Sequence, residues 1–180
     1  MSTIKVDAIK TRAGAVPTAN DIGINVTGTV LQVVSTTKTD TFSSSSSSFT
    51  DITGLSVAIT PTSTSSKILV LVTIFGSQDV NANRSFLKLV RGSTGISVGD
   101  TASNRPGATS TFSAQHPDVG STASMNFLDS PSTTSETTYK VQVAVTAGSG
   151  SAFVNRTEND TDESQMPRFA STITALEIAG

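Results

Sequence analysis

Between Lys67 and Phe75 the chain reads KILVLVTIF, a run that is apolar on both sides of an extended backbone. Successive side chains of a strand point to opposite faces of the sheet. Ile68, Val70, Val72 and Ile74 therefore share one face, while Leu69, Leu71 and Phe75 share the other. A single sandwich buries one face of each sheet, so this strand requires a second cover. A neighbouring subunit or the N-terminal segment must supply it. All seven residues are accordingly expected in the core or at a protomer interface.

The rest of the chain alternates in shorter runs. GLSVAITP sets Leu55, Val57 and Ile59 against Ser56, Ala58 and Thr60, and Pro61 then stops the ladder. YKVQVAVTA turns Tyr139, Val141, Val143 and Val145 to one side. Further strands are predicted at 86–90, 95–98, 109–113, 124–128, 152–154 and 172–178, separated by Gly-, Pro- and Asn-rich turns. No helical periodicity of useful length competes with them. Only 14% of the residues are charged, but the 36% that are hydrophobic are gathered into dense runs, so burial can offset the entropy of ordering. The expected fold is an all-β antiparallel sandwich of jelly-roll type, spanning residues 29–180, with an extended N-terminal arm at 1–28.

Two segments need separate readings. Ser43 to Ser48 form a homopolymeric run bracketed by Phe42 and Phe49. Alternation resumes immediately after it, which predicts a connection or polar edge strand inside one domain; an interdomain linker is the alternative. The residues before the run are too few for an independent core. In the arm, Ile4, Val6 and Ala8 alternate with Lys5 and Asp7, and the following Gly-, Pro- and Asn-containing stretch builds no core of its own. Ile4, Val6 and Ile9 are expected to attach the protein to a partner, with a flexible tail as the plainer reading.

Composition excludes several function classes. Twelve basic and fourteen acidic residues, with no basic block, argue against nucleic acid as a partner. Absence of cysteine removes disulfides, thiolate chemistry and cysteine-bound metal, and suits a reducing compartment or a particle assembled in one. No apolar stretch approaches membrane-spanning length, and the opening MSTIKVDAIKTRAG has no signal-peptide core, so neither membrane insertion nor Sec-type export is expected.

Residues suited to catalytic chemistry are equally sparse. His116 is the only histidine, in a loop reading HPDVG with Asp118 two positions on. Serine is so abundant that a Ser-His-Asp combination carries no information, and no nucleophile elbow accompanies it. Glu158, Asp160, Asp162 and Glu163 form an acidic cluster without the EF-hand pattern, as expected of a solvated loop. Acidic pairs such as Asp79 with Asp100, or Asp129 with Glu136, lack any feature that selects them as glycosidase carboxylates. Asn155-Arg156-Thr157 matches the glycosylation acceptor pattern, as chance allows in a chain this rich in Ser and Thr. Phe112 and Phe153 border loops and are read as core or subunit contacts before ligand contacts. No enzyme activity, catalytic residue, cofactor or metal is expected. The loops carrying His116, Asp118, Asp160 and Asp162 are the expected surface-recognition positions.

Several blocks taken together point further. GTVLQVVSTTKTDTFSSSSSSFTDITGLSVAITPTSTSSKILVLVTI, NRSFLKLVRGSTGISVGD, FLDSPSTTSETTYKVQV, FVNRTENDTD and STITALEI occur in this order over residues 28–180. Together they resemble a widespread family of bacteriophage virion proteins and fibre modules, common among phages of aquatic bacteria. The opening STIKVDAIKT also resembles the start of phage fibre proteins. The resemblance implies a structural virion component, assembled in the host cytoplasm, whose β-sandwich forms a homotrimer. It implies contacts with other virion proteins of the tail, baseplate or capsid, and with a host cell-surface glycan. It supplies no catalytic residues. No long shaft precedes the sandwich here, which points to a short tail or head fibre or, alternatively, to a capsid decoration protein. A glycan-degrading depolymerase is the third alternative.

Overall fold

Most of the alternating runs become strands. In the computed structural model, which describes residues 27–79, 84–114, 116–146 and 150–180, these are β1 (Val30–Lys38), β2 (Phe42–Ser44), β3 (Thr50–Ile59), β4 (Lys67–Gln78), β5 (Ser85–Arg91), β6 (Thr94–Ile96), β7 (Ser121–Asp129), β8 (Thr137–Val145), β9 (Ala152–Val154) and β10 (Ser171–Ile178). The attachment positions Ile4, Val6 and Ile9 lie outside the described residues.

The strands form two antiparallel sheets in a sandwich-like, partly closed barrel. One contains β1-β10-β4-β7, with the short β9 pairing the end of β4 and β2 pairing β9. The other is β3-β8-β5-β6. Four of the pairs are nested: β1 with β10, β3 with β8, β4 with β7 and the short pair β5 with β6.

The core lies between the sheets and follows the period-two pattern. Ile68, Val70, Val72 and Ile74 of β4 face inward and are almost completely buried, as are Ile173 and Ala175 of β10. Opposite them sit Leu55, Val57 and Ile59 of β3, Leu87 and Leu89 of β5, and Tyr139, Val141, Val143 and Val145 of β8. Full burial of each such aliphatic side chain contributes about 1.5–3 kcal/mol.

One predicted strand does not form. At 109–113 only Ser110 bridges to Leu87, because the Thr109 hydroxyl takes over as acceptor for the Leu89 N–H at 3.0 Å and ends the ladder. Phe112 then turns into the core against Gly76, where an added Cβ would lie 2.5 Å from its ring. Phe153 instead stays half-buried, with the Arg156 guanidinium 4.1 Å from its ring centre.

The serine run is a connection between the two sheets, not an interdomain linker. Ser43 and Ser44 belong to β2, and β3 starts at Thr50. In between, the Ser44 hydroxyl accepts from the Ser46 N–H at 3.2 Å and the Ser46 hydroxyl accepts from the Ser48 N–H at 3.1 Å. The Ser46 carbonyl also receives the Val145 N–H at 2.9 Å, which anchors the turn to β8. Hydroxyls two residues apart thus satisfy backbone groups that no ladder reaches.

A buried polar group ties the sheets at one end. Asp129, the last residue of β7, accepts from the Tyr139 hydroxyl at 2.7 Å and from the Arg91 guanidinium at 2.9 Å. Burial first, then the adjacent carboxylate, push the tyrosine hydroxyl far above its ordinary pKa, so it remains a proton donor. Asp129 is thereby committed to structure.

Candidate functional site

The second face of β4 is where the fold leaves apolar surface unmatched. Antiparallel register places directly paired residues on the same side of the sheet. Val33 of β1 pairs with Leu176 of β10, Leu176 with Leu69 of β4, and Leu69 with Leu128 of β7. Four aliphatic side chains therefore form one continuous row across four strands on the outer face. Val30 and Ile178 extend the patch on one side, paired with each other, and Leu71 extends it on the other.

These side chains are substantially open. Val33 is 56% exposed, Leu128 47% and Leu71 41%. Of the five large hydrophobic residues with this degree of exposure among the described residues, only Val119 lies off this face. Single exposed aliphatics are ordinary; a contiguous row of them on a monomer is not.

Beyond Leu71 the same face becomes hydroxyl-rich. Ser35, Thr174 and Asn126 flank Leu71 in register, and Thr37, Thr172, Thr73 and Ser124 form the next row. Ser35 and Thr174 bond to each other across the strands at 2.8 Å. The face is thus half aliphatic and half neutral polar. Its aliphatic end and its hydroxyl-rich end lie side by side along the strands.

Phe75 finds its cover within the chain. Its ring stacks on Phe169, with centroids 3.6 Å apart and planes at 17°. Sequence reasoning looked to a partner or to the N-terminal arm for this cover, and overlooked the 155–170 loop. A lone Phe among polar residues gives no signal of where its loop will fold. Leu69 and Leu71 receive no comparable cap among the described residues, and Leu69 keeps partial exposure.

The structure brings together most of the predicted recognition loops. Asp118 accepts at 2.5 Å from the Asn159 side-chain amide, and Asn159 N–H donates to the Pro117 carbonyl at 3.0 Å. His116 Nδ1 lies 3.4 Å from the Asp118 carboxylate and accepts from the Asp118 N–H at 3.3 Å. Asp160, next to Asn159, pairs with Arg168 and lies 3.6 Å from Arg156. Asp162 is exposed on the same loop. Asp118 therefore ties its loop to Asn159 of the 155–170 loop, while Asp160 pairs with arginines inside that loop and His116 contacts Asp118 inside its own. Among the described residues no group of three His, Cys, Asp or Glu side chains converges as a metal site.

The 155–157 triplet likewise has a structural role. Asn155 is fully buried, and its amide donates to the Lys38 and Asp40 carbonyls at 2.9 Å each. No protein-family model matches the chain, and no curated protein matches it either.

Proposed function

We propose that this chain is a structural subunit of a bacteriophage particle, a short tail or head fibre that assembles as a homotrimer through the outer face of the β1-β10-β4-β7 sheet. The aliphatic row Val33-Leu176-Leu69-Leu128 is the observation that carries the reading. Closed oligomers bury such a surface repeatedly at no cost in open edges. The resemblance over residues 28–180 supplies the particle and the number three. The nested strand pairs support a jelly-roll topology, since rolling up one long hairpin pairs first strand with last in this order. In this reading the chain acts through stoichiometric contacts with other virion proteins and with the host surface, and not by turnover.

A capsid decoration subunit uses the same face, because a cement protein must also hide apolar surface against a neighbour. Cryo-electron microscopy of intact particles separates the two. Trimers projecting from the tail, or as fibres from the head, are the expected result; copies lying flat in the capsid lattice would assign the decoration role. Purified particles that lack the chain would refute both.

A further inference from the structure

The opposite side of the molecule carries a cleft of different character. On the outer face of β3-β8-β5-β6, Phe86 of β5 lies directly across from Ala144 of β8. The small residue beside a large ring opens a depression of about 570 Å³, a volume within the range of small-molecule sites. Phe49 forms another wall, and Lys88 Nζ sits 3.7 Å from its ring centre. Ser47, Arg84 and Asn104 also line the cleft.

The polar groups here are uncommitted. Among the described residues, the Arg84 guanidinium, the Asn104 amide and the Ser47 hydroxyl have no hydrogen-bond or ion-pair partner in the fold. The described lining includes no carboxylate. Asp51, the acid on the adjacent face of β3, is held at 2.7 Å by Lys140 and at 2.7 Å by Gln142. Arg84 and Lys88 therefore give the cleft a positive field beside two half-exposed aromatic rings.

We infer that this cleft binds an acidic saccharide. A sugar ring has an apolar face that packs on phenylalanine and a perimeter of hydroxyls that Asn104 and Ser47 can satisfy. A carboxylate or sulfate on the sugar meets the planar guanidinium of Arg84, the side chain best matched to such an anion. Neutral sugars leave that cation without a partner, so the site selects for charge. The inference rests on the proposed host contact for the biological source of the ligand, though not for the binding itself. Because the cleft and the aliphatic face lie on opposite sheets, assembly leaves it open.

The test is isothermal titration of the full chain with a panel of uronate, sialate and sulfated oligosaccharides, each paired with its neutral counterpart. Methyl-esterified oligogalacturonate, for example, keeps the ring and removes the charge. At least one acidic member is expected to bind about tenfold or more tightly than its neutral form. Arg84→Ala should erase that preference, and Asn104→Ala should weaken binding while leaving the melting curve unchanged. Failure of every acidic probe to bind, equal affinity for charged and neutral forms, or indifference to both substitutions overturns the inference. Sedimentation of the same samples keeps the two readings apart. A monomer that binds refutes trimeric assembly and upholds the cleft, whereas a trimer that binds nothing does the reverse.

Discussion

Asn155 occupies the left-handed region at φ 60°, where asparagine is tolerated better than most side chains. From there its amide bridges the Lys38 and Asp40 carbonyls, and its Oδ1 receives the Ser171 hydroxyl at 2.6 Å. One side chain thus fixes the corner between β1 and β2 against the start of β10. Asn155→Ala is expected to cost about 3 kcal/mol in urea unfolding, since it strands several buried polar groups at once. Asn155→Gly, which accepts the same φ, should recover only the backbone part of that loss. Glu177 is the second residue of this kind. It is fully buried, and takes hydrogen bonds from Gln32 at 2.6 Å and from the Thr62 N–H and hydroxyl at 2.6 and 2.7 Å. Burial raises its pKa, but these donors more than compensate and hold it below the ordinary value of 4.5. The folded protein therefore binds this proton less readily than the unfolded chain. Its stabilising contribution is complete above the unfolded value and disappears as pH falls through the folded one. Unfolding curves from pH 7 to pH 3 should show this acid loss, and Glu177→Gln should be less stable at pH 7 and flatter in its acid dependence.

At the scale of elements, β4 carries two different obligations on its two faces. Val72 belongs to the core, whereas Leu71 points outward among Thr174, Asn126 and the aliphatic row. Val72→Asp buries a carboxylate with no partner and is expected to cost more than about 4 kcal/mol. Leu71→Asp leaves the fold in place, at a cost of about 1 kcal/mol for an acidic residue on a central strand. Paired thermal melts of the two variants check the contrast; equal destabilisation would mean that the outer face is packed, within the subunit or against a partner, and sedimentation of the Leu71→Asp variant tells the two apart. The serine run shows the opposite economy. It has no apolar side chain to bury, so its conformation is set by hydroxyls bonding backbone groups two residues away and by the Ser46 carbonyl's tie to β8.

For the whole molecule, the outer face of β1-β10-β4-β7 is where the proposed association can be tested. If the aliphatic row is the protomer contact, placing charges on its most exposed members should abolish assembly without unfolding the subunit. Val33→Asp combined with Leu128→Asp is expected to convert the proposed trimer to a monomer in sedimentation velocity while the circular dichroism spectrum stays native. An unchanged sedimentation coefficient would show that the copies meet elsewhere. The loops around His116 and Asp160 are a different case. Asp160 is shared between Arg168 and Arg156, and Asp118 is taken by Asn159. Their side chains are thus engaged within the surface loops, which leaves the cleft beside Phe86 as the proposed recognition feature.

Alternation alone was enough to read the all-β class, the inward sets of β3 and β8, and the two-sided apolarity of β4, because side-chain direction along a strand has a local period of two; which face of β4 turns inward was left to the packing. The same rule identified Leu69 and Leu71 as needing cover. It was silent on which strands would lie beside them. Register across β1, β10, β4 and β7 joins Val33, Leu176 and Leu128 to Leu69 from sequence positions far apart, and those three are not unusual in their own segments. The stack of Phe169 on Phe75, the stranding of Asn155 between two corners and the cleft between Phe49 and Phe86 are likewise products of long-range pairing. Local sequence determines which way a side chain points, but only the packing of distant strands decides what it points at.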